Sequence, residues 1–231
     1  MTRKVGDPGK VFNLSRATRA VNMLPDKKKL KKYDEYIAKY KTMAWVSLLL
    51  GAGLVAVAIW LWQSNHGIIS VLTGIISLFP FWMAYTTSSA ASGAAYESGL
   101  LVPAIIVNTQ PVEILTLADM RSGSSSPNGP VWGCRRLRLK ALPMHNLQPG
   151  ERVPCAAFFG SSTDGIYAHY EPRPLCWATD DTHQIEAAVQ EITREEWEIL
   201  DILKEKVAAV TPDDVVYFNG NLSPREEGQN G

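Results

Sequence analysis

The sequence contains a window of 55 residues, from Thr42 to Tyr96, without any Lys, Arg, Asp or Glu. A helix that crosses the hydrocarbon core of a bilayer needs about 20 mostly apolar residues. The window is therefore long enough for two crossings and a tight turn. We predict a first transmembrane helix over residues 43–62, an external turn over residues 63–67 and a second transmembrane helix over residues 68–86.

Aromatic residues lie at the ends of both apolar runs, as expected for side chains at a membrane interface. A cleaved signal peptide is the main alternative for one early apolar run. This run begins only at residue 43, is long and is followed by a second run, so an antiparallel hairpin is favoured. Neither helix contains an ionisable residue, which argues against a transporter, channel or pump acting alone. The aromatic residues are Trp45, Trp60, Trp62, Trp82 and Tyr85.

The charges predict the orientation of the hairpin. Residues 1–42 have a net charge of +8, and residues 97–231 have a net charge of −8. Basic flanks stay on the cytoplasmic side, so both termini of this multi-pass protein are expected in the cytoplasm of a bacterium. We interpret residues 26–42 as a basic cytoplasmic helix that contacts anionic lipid headgroups and not nucleic acid. Its juxtamembrane lysines are Lys27, Lys28, Lys29, Lys31 and Lys32.

Small residues recur at helical spacing in both predicted membrane helices. Such spacing lets helix backbones approach closely in lipid. One interpretation is that the two helices pack against each other, and another is that one helix also docks on a different membrane protein. Both remain open at this point. The candidate helix-contact residues are Ser47, Gly51, Ala52, Ala56, Ser70 and Gly74.

Three flanking segments have compositions of their own. Residues 1–25 scatter apolar residues among arginines, and we predict that they are poorly ordered alone or ordered against a partner. Residues 87–99 are small and nearly uncharged, and they are predicted to extend the second membrane helix until Gly99 ends it. The tail, residues 219–231, is predicted to be disordered.

Residues 100–218 are predicted to form a cytoplasmic α+β domain. Short strand-like runs separated by turns indicate a small antiparallel β-barrel or curled sheet of about six strands. Two helices follow, each opened by a capping pattern, at Asp181 and at Thr193. The predicted strands are Val102–Val107, Glu113–Leu117, Val131–Leu142, Val153–Phe159, Gly165–Tyr170 and Leu175–Thr179.

The third predicted strand carries a basic face, formed by Arg136, Arg138 and Lys140 with Arg135 beside them. The simpler interpretation is the solvent side of a half-buried strand. The alternative is a contact with lipid headgroups or with an acidic partner.

Motifs of known chemistry are missing from the sequence. The four histidines are dispersed, and Cys134, Cys155 and Cys176 form no CxxC pair. A metal site assembled from these cysteines is a weak alternative to buried small side chains. We therefore predict no catalytic residues, no metal and no cofactor, and a protein that is not an enzyme.

The segment Pro172–Thr179 and the motif Thr193–Trp197 resemble an uncharacterised membrane-protein family of corynebacteria and related actinobacteria. The Leu101–Ile106 and Pro149–Pro154 segments fit the same pattern, so that the resemblance covers most of residues 43–210. It implies a two-helix hairpin followed by a small cytoplasmic domain, and it brings no catalytic residues. In size and topology the chain is also similar to accessory subunits of the actinobacterial cytochrome bcc–oxidase supercomplex.

Together these features predict a non-enzymatic accessory or assembly subunit of a larger complex in the bacterial cytoplasmic membrane. The predicted partners are other integral membrane subunits, with the respiratory supercomplex as the leading candidate. One alternative is a membrane-tethered module that senses a lipid or an anion through the Arg136–Lys140 face. Another is a membrane-tethered enzyme of unfamiliar type.

Overall fold

The computed structural model describes residues 19–90, 93–122, 129–207 and 214–225. The chain divides into two compact units. The hairpin unit comprises residues 34–94. The sheet unit combines the residues before 34 with those after 94, so the hairpin unit is inserted between two parts of the sheet unit.

The elements follow one another in a simple order. The helices are α1 (Lys27–Tyr33), α2 (Glu35–Gln63), α3 (Gly67–Ala90), α4 (Ala94–Ser98), α5 (Thr182–Glu191) and α6 (Arg194–Lys206). The strands are β1 (Leu100–Thr109), β2 (Val112–Asp119), β3 (Val131–Leu139), β4 (Arg152–Phe159), β5 (Ser162–Thr163), β6 (Ile166–Tyr167), β7 (Tyr170–Pro174) and β8 (Val215–Asn219).

Helices α2 and α3 form the hairpin that the uncharged window predicts, and both are long and apolar enough to cross a membrane. The turn between them is short. The backbone N–H of Ser64 donates to Trp60 O at 3.0 Å, and Asn65 takes a positive φ of 61°. Asparagine tolerates this left-handed conformation better than most residues. The chain therefore reverses direction within three residues.

The two hairpin helices contact each other through small residues. A Cβ added at Gly51 would lie 3.1 Å from the ring of Phe81, so the glycine lets the ring approach the α2 backbone. The Ser70 hydroxyl donates to the carbonyl oxygen of Ala58 at 2.7 Å. Close backbone approach and hydrogen bonds between helices are typical contacts in lipid, where no hydrophobic force drives helices together.

A break at Asp34 separates α1 from α2, in contrast to the single helix predicted over residues 26–42. Asp34 has extended backbone angles, and its carboxylate accepts a hydrogen bond from the N–H of Ile37 at 3.0 Å. A side chain in this position satisfies one of the unpaired N–H groups at the start of a helix. Asp34 is therefore the N-cap of α2.

The segment before α1 belongs to the sheet unit. We predicted residues 1–25 to be poorly ordered alone; residues 1–18 lie outside the described residues, but residues 19–25 pack against the sheet unit. The side chains of Ala20, Val21 and Met23 are buried. Three backbone hydrogen bonds hold the segment: Val21 N to Gly99 O at 2.9 Å, Met23 N to Tyr96 O at 2.8 Å and Leu101 N to Arg19 O at 2.8 Å.

The sheet unit is built on one six-stranded antiparallel sheet with the strand order β7-β4-β1-β2-β3-β8. The sheet curls into a half-barrel, which confirms the predicted α+β domain with a curled sheet of about six strands. Its core contains Leu101, Ile106, Ile114, Leu117 and Tyr170, all fully buried. Strands β5 and β6 form a separate small hairpin.

Two predicted segments of the sheet unit differ from the observed ones. Leu175–Trp177 is a 3₁₀ helix and not part of a strand, and Trp177 is buried with its indole N–H donating to Ala141 O at 2.9 Å. The sixth strand of the sheet is instead β8, which follows the helices. The described residues of the predicted disordered tail turn back along β8: Arg225 N donates to Tyr217 O at 2.9 Å, and Pro224 pairs with Phe218 in an antiparallel bridge. Residues 226–231 lie outside the described range.

The segment predicted as a continuous extension of the second membrane helix, residues 87–99, is interrupted. Helix α3 ends at Ala90, Gly93 has a positive φ of 83°, and α4 begins at Ala94. Gly99 does follow the last helical residue, as predicted. A residue with a positive φ cannot continue a right-handed helix, so α4 starts afresh after Gly93, and glycine adopts this conformation without steric cost.

Both predicted helix starts after the sheet are confirmed. The Asp181 carboxylate accepts hydrogen bonds from His183 N and Gln184 N, and it caps α5. Thr193 and Glu196 form a capping box at the start of α6. Helix α5 lies against β4, and α6 lies against β1 and β2.

The contact between Gly51 and Phe81 leads to a test of hairpin packing. We expect Gly51→Leu to lower the free energy of unfolding of the hairpin by about 1–3 kcal/mol, because the larger side chain overpacks the contact. Titration of the purified protein with SDS in micelles measures this. Gly53→Leu is the control, since a Cβ there has no neighbour within 4 Å. Equal losses in both variants would contradict the packing assignment.

Candidate functional site

The predicted basic face lies on β3, where a buried carboxylate binds two of its arginines. Glu113 on β2 pairs directly with Arg138 in the sheet register. Arg136 donates to Glu113 Oε2 at 2.9 Å from Nε and 2.6 Å from Nη2. Arg138 donates to Glu113 Oε1 at 3.2 Å and 3.1 Å. Glu113 thus receives two guanidinium groups, one on each oxygen.

Burial differs strongly within this ion-pair cluster. Glu113 is 3% exposed, whereas the side chain of Arg138 is 61% exposed. Burial by itself would raise the pKa of the Glu113 carboxyl. Hydrogen bonds from Arg136 and Arg138 outweigh that effect and hold the pKa below its ordinary value. The carboxylate therefore stays ionised and neutralises one of the two positive charges.

Arg135 does not share this face, because neighbouring residues of a strand point to opposite sides. Its guanidinium donates from Nη1 to Tyr170 O at 2.6 Å. Lys140 follows the end of β3 and is exposed. The four predicted residues therefore separate into Arg136 and Arg138 around Glu113, Arg135 on the opposite face, and Lys140 at the end of the strand.

Glu113 was missed in the prediction, although the sequence contains a signal for it. It stands within the run Val112–Ala118 of a strand, in which every other residue except Thr116 is apolar. An acidic side chain in such a run is buried only when it is paired. That pattern indicates a cationic partner on a neighbouring strand.

The small residues of the hairpin fall into two groups. Gly51 and Ser70 face the partner helix, through Phe81 and the Ala58 carbonyl. Ala52 and Ala56 are exposed on α2, and a Cβ at Gly74 would have no neighbour within 4 Å. Ser47 is half-buried. Within the hairpin unit, the small residues therefore form an inner face between the helices and an outer face without a covering side chain.

Large apolar side chains cover the rest of the hairpin surface. Trp45, Trp60, Trp62, Trp82 and Tyr85 are all exposed, as are most of the leucines and isoleucines of α2 and α3. Soluble monomers rarely expose apolar patches larger than a few hundred Å². Such a surface is stable in contact with lipid or with another apolar protein surface.

The predicted juxtamembrane lysines lie on α1. Lys27, Lys28, Lys31 and Lys32 are exposed, and they project from a helix whose Leu30 is buried. Lys29 differs from them: it forms an ion pair with Asp180 and donates to Thr179 O at 3.3 Å. Four of the five predicted lysines are therefore on the surface, and the fifth, Lys29, joins α1 to the segment that contains Thr179 and Asp180.

The three cysteines are buried thiols. Burial raises the pKa of Cys134 well above its ordinary value and that of Cys176 to about 12, and it raises the pKa of Cys155 strongly as well. Thiols with a raised pKa are poor nucleophiles. Among the described residues, no three His, Cys, Asp or Glu side chains are grouped so as to hold a metal ion.

The Glu113 cluster leads to a stability test. We expect Glu113→Gln to lower the free energy of unfolding at neutral pH by about 1–3 kcal/mol, because two arginines lose an ionised acceptor. The folded-state pKa of Glu113 is depressed, so its contribution is present above the ordinary glutamate pKa of about 4.3 and is lost as the pH falls through the folded value. Urea denaturation across this pH range measures the difference.

Glu198→Gln is the matched control for that test. Glu198 pairs with Arg194 on the surface of α6, with both side chains largely exposed. Exposed pairs of this kind contribute about 0.5 kcal/mol or less. A Glu113→Gln loss no larger than that of Glu198→Gln would show that the buried cluster does not stabilise the sheet unit.

Comparisons with known proteins found one solved structure and one protein family that are similar to the chain. A crystal structure of a Corynebacterium diphtheriae protein, provisionally described as a membrane protein, is 27% identical to the chain. The match covers 50% of this chain and 97% of the other, with a TM-score of 0.43. No curated protein matches the chain. The predicted resemblance to an uncharacterised family is confirmed by the family match that follows, whereas the similarity to supercomplex subunits remains a prediction.

A family model described as a protein of unknown function, DUF3239, matches residues 88–208. This range begins at the end of α3 and extends through α6, so it comprises most of the sheet unit and excludes most of the hairpin. Since the match covers more than half of the sequence, the chain belongs to the DUF3239 family of proteins of unknown function.

Proposed function

We propose that the chain is a two-pass protein of the bacterial cytoplasmic membrane that acts, without enzymatic activity, as an accessory or assembly subunit of a larger membrane complex. The observation that carries the proposal is the exposed surface of the hairpin. It combines large apolar side chains with an outer face of small residues. Lipid covers the first kind of surface, and a closely packed helix of another subunit fits the second.

The structure of the sheet unit supports an even number of crossings. The segments before and after the hairpin are joined by backbone hydrogen bonds, such as Met23 N to Tyr96 O at 2.8 Å. Two segments of one folded domain must lie on the same side of a membrane. A hairpin whose two helices both cross satisfies this condition, whereas a single crossing does not.

The side of the membrane on which the sheet unit lies is proposed from the charges that flank the hairpin. Four exposed lysines of α1 precede the hairpin, and the turn Ser64–His66 contains no Lys or Arg. Basic segments close to a membrane helix remain cytoplasmic. Both ends of the chain and the sheet unit are accordingly assigned to the cytoplasm. The free cysteine thiols agree with this assignment, because the cytoplasm is a reducing compartment.

The outer face is the proposed docking surface. Ala52 and Ala56 lie one helical turn apart on α2, and Gly53 has open space around its Cα. A second helix can approach such a surface to backbone contact. The occupant we propose is a transmembrane helix of another integral subunit, with the actinobacterial cytochrome bcc–oxidase supercomplex as the first complex to examine.

The alternative of a lipid- or anion-sensing module has less support from the geometry. Arg136 and Arg138 share the buried Glu113, so that the cluster has one net positive charge instead of two. Paired arginines have fewer N–H groups left for a headgroup or an anion. Anionic lipids remain proposed partners of the exposed α1 lysines.

Cysteine labelling tests the topology. We expect His66→Cys, in the turn of the hairpin, to react with a membrane-impermeant maleimide in intact cells. Lys28→Cys, on the exposed face of α1, is the matched control and should react only after permeabilisation. The native thiols are buried and give a low background. Labelling of Lys28→Cys in intact cells, or of His66→Cys only in permeabilised cells, would contradict the orientation.

Purification in mild detergent with mass spectrometry tests the role. The chain should elute with a fixed set of integral membrane subunits. We expect Gly53→Leu combined with Gly74→Leu to weaken this association roughly tenfold, since forcing larger side chains into a close contact costs about 1–3 kcal/mol. Ile75→Leu, at an exposed apolar position, is the control. A solitary chain, or unchanged recovery of subunits with the double variant, would contradict the proposal.

A further inference from the structure

The segment that leads into α1 exposes a large apolar side chain beside the lysines of that helix. Leu24 is 70% exposed, whereas its neighbour Met23 is buried. Three residues of chain span at most about 10 Å, so Leu24 lies within that distance of Lys27. A single exposed leucine is ordinary, but one beside several exposed cations is not. We name this group the anchor surface; it consists of Leu24, Lys27, Lys28, Lys31 and Lys32.

Helix α1 is fixed to the rest of the sheet unit. Leu30 is buried, and the backbone N–H of Asp26 donates to Ala178 O at 2.8 Å. Lys29 forms an ion pair with Asp180. These contacts determine which side of α1 faces solvent. An attraction that acts on the exposed lysines is therefore transmitted to the sheet unit.

The chain connection keeps the end of α1 close to the uncharged window. Residues 34–41 lie between them, and α2 begins at Glu35. At 1.5 Å per helical residue this connection is about 12 Å long, and the headgroup layer on each side of the hydrocarbon core is about 5–7 Å thick. If the hairpin crosses a bilayer, as proposed, the end of α1 lies about 5–7 Å from the headgroups. That distance is shorter than the Debye length of about 8 Å at physiological ionic strength.

The charges of this region favour an anionic surface. Residues 26–41 contain seven Lys and three Asp or Glu, a net charge of +4. Clusters of this size beside a membrane helix bind anionic lipids, and each cation near the surface changes the binding constant about fivefold. Residues 97–231 have a net charge of −8, so the same surface repels the larger part of the sheet unit. Attraction and repulsion together turn the anchor surface toward the bilayer.

Two features favour a lipid surface over a free anion or an acidic protein. The lysines are separate point charges spread along both turns of α1, whereas a small anion needs donors that converge on one point. Leu24 adds an apolar group next to these cations. Segments that combine cations with exposed leucines bury the apolar side chains about 5–10 Å into the boundary between headgroups and acyl chains.

We propose that the anchor surface docks the sheet unit on the cytoplasmic face of an anionic bilayer. Leu24 enters the interfacial layer, and the four lysines contact lipid phosphates. The inference rests on the proposed two-pass topology and adds a second membrane contact that the hairpin does not provide. Docking of the sheet unit thereby depends on the anionic lipid content of the membrane. Lys29 takes no part in it, because it pairs with Asp180.

Fluorescence of the full chain in nanodiscs tests the proposal. Leu24→Cys is labelled with nitrobenzoxadiazole (NBD), whose emission reports the polarity around it; the native thiols are buried and give a low background. The discs contain either phosphatidylcholine alone or phosphatidylcholine with phosphatidylglycerol. We expect stronger and blue-shifted emission in the anionic discs. Ile202→Cys, at an exposed apolar position of α6, is the control and should give the same emission in both.

A double variant assigns the attraction to α1. Lys28→Gln combined with Lys31→Gln should lower the docking constant of the labelled chain about 25-fold, a factor of five for each lysine. Lys140→Gln combined with Arg194→Gln removes two other exposed cations of the sheet unit and should leave it unchanged. Salt at about 1 M shortens the Debye length to about 3 Å and should reverse the emission change.

Three results would overturn the proposal. They are equal NBD emission in neutral and anionic discs, an equal change at positions 24 and 202, and equal effects of the two double variants. A chain that elutes with the discs and gives any of these results loses the anchor surface but keeps its two-pass topology. A chain that does not elute with the discs loses both. Because the discs contain no other subunit, the accessory role does not affect the outcome.

Discussion

The hydrogen bonds between the segment before the hairpin and the segment after it constrain the rest of the structure. Val21 and Met23 donate to Gly99 and Tyr96. Their side chains are buried, and full burial of an apolar side chain of this size contributes about 1.5–3 kcal/mol. Because these contacts join residues on both sides of the hairpin, the hairpin begins and ends at one domain. An insertion of this kind is compatible with a bilayer only if the inserted helices return to the side from which they left.

The two units differ in where they place polar and apolar side chains. In the sheet unit a buried charged side chain is paired, as Glu113 is with Arg136 and Arg138. In the hairpin unit the side chains are mostly apolar and exposed, and the helices satisfy their own backbone groups. Lipid is a suitable solvent for the second surface and water for the first. The distribution of charge along the chain follows this division.

Much of this architecture could be predicted from local patterns. The uncharged window predicts α2 and α3, the alternation of side chains predicts the central strands, and capping residues predict the starts of α5 and α6. Each of these signals lies within one element or at its first turn. The predictions failed where a segment depends on distant partners. Strand β8 was missed although Val215–Asn219 is rich in β-branched and aromatic residues, because its partner strand β3 lies far away in the sequence.

Dependence on residues distant in the sequence also explains which features of the candidate sites were not predicted. The sequence shows that Arg136 and Arg138 share one side of a strand, but the position of Glu113 opposite them depends on the register between β2 and β3. Small residues at helical spacing are visible in the sequence, whereas the division into an inner and an outer face requires the direction of the partner helix.

The ion pair between Arg19 and Glu196 joins residues that are 177 positions apart. During synthesis Arg19, which precedes the hairpin, can form this pair only after α6 has left the ribosome, long after α2 and α3 have been made. Contacts of such separation form late and slow the completion of a fold. The hydrogen bonds of residues 19–23 to α4 and β1 need no residue of α6, so only the Arg19 side chain stays without this partner until Glu196 is made, and the incomplete seam is a place where the nascent chain is open to proteolysis.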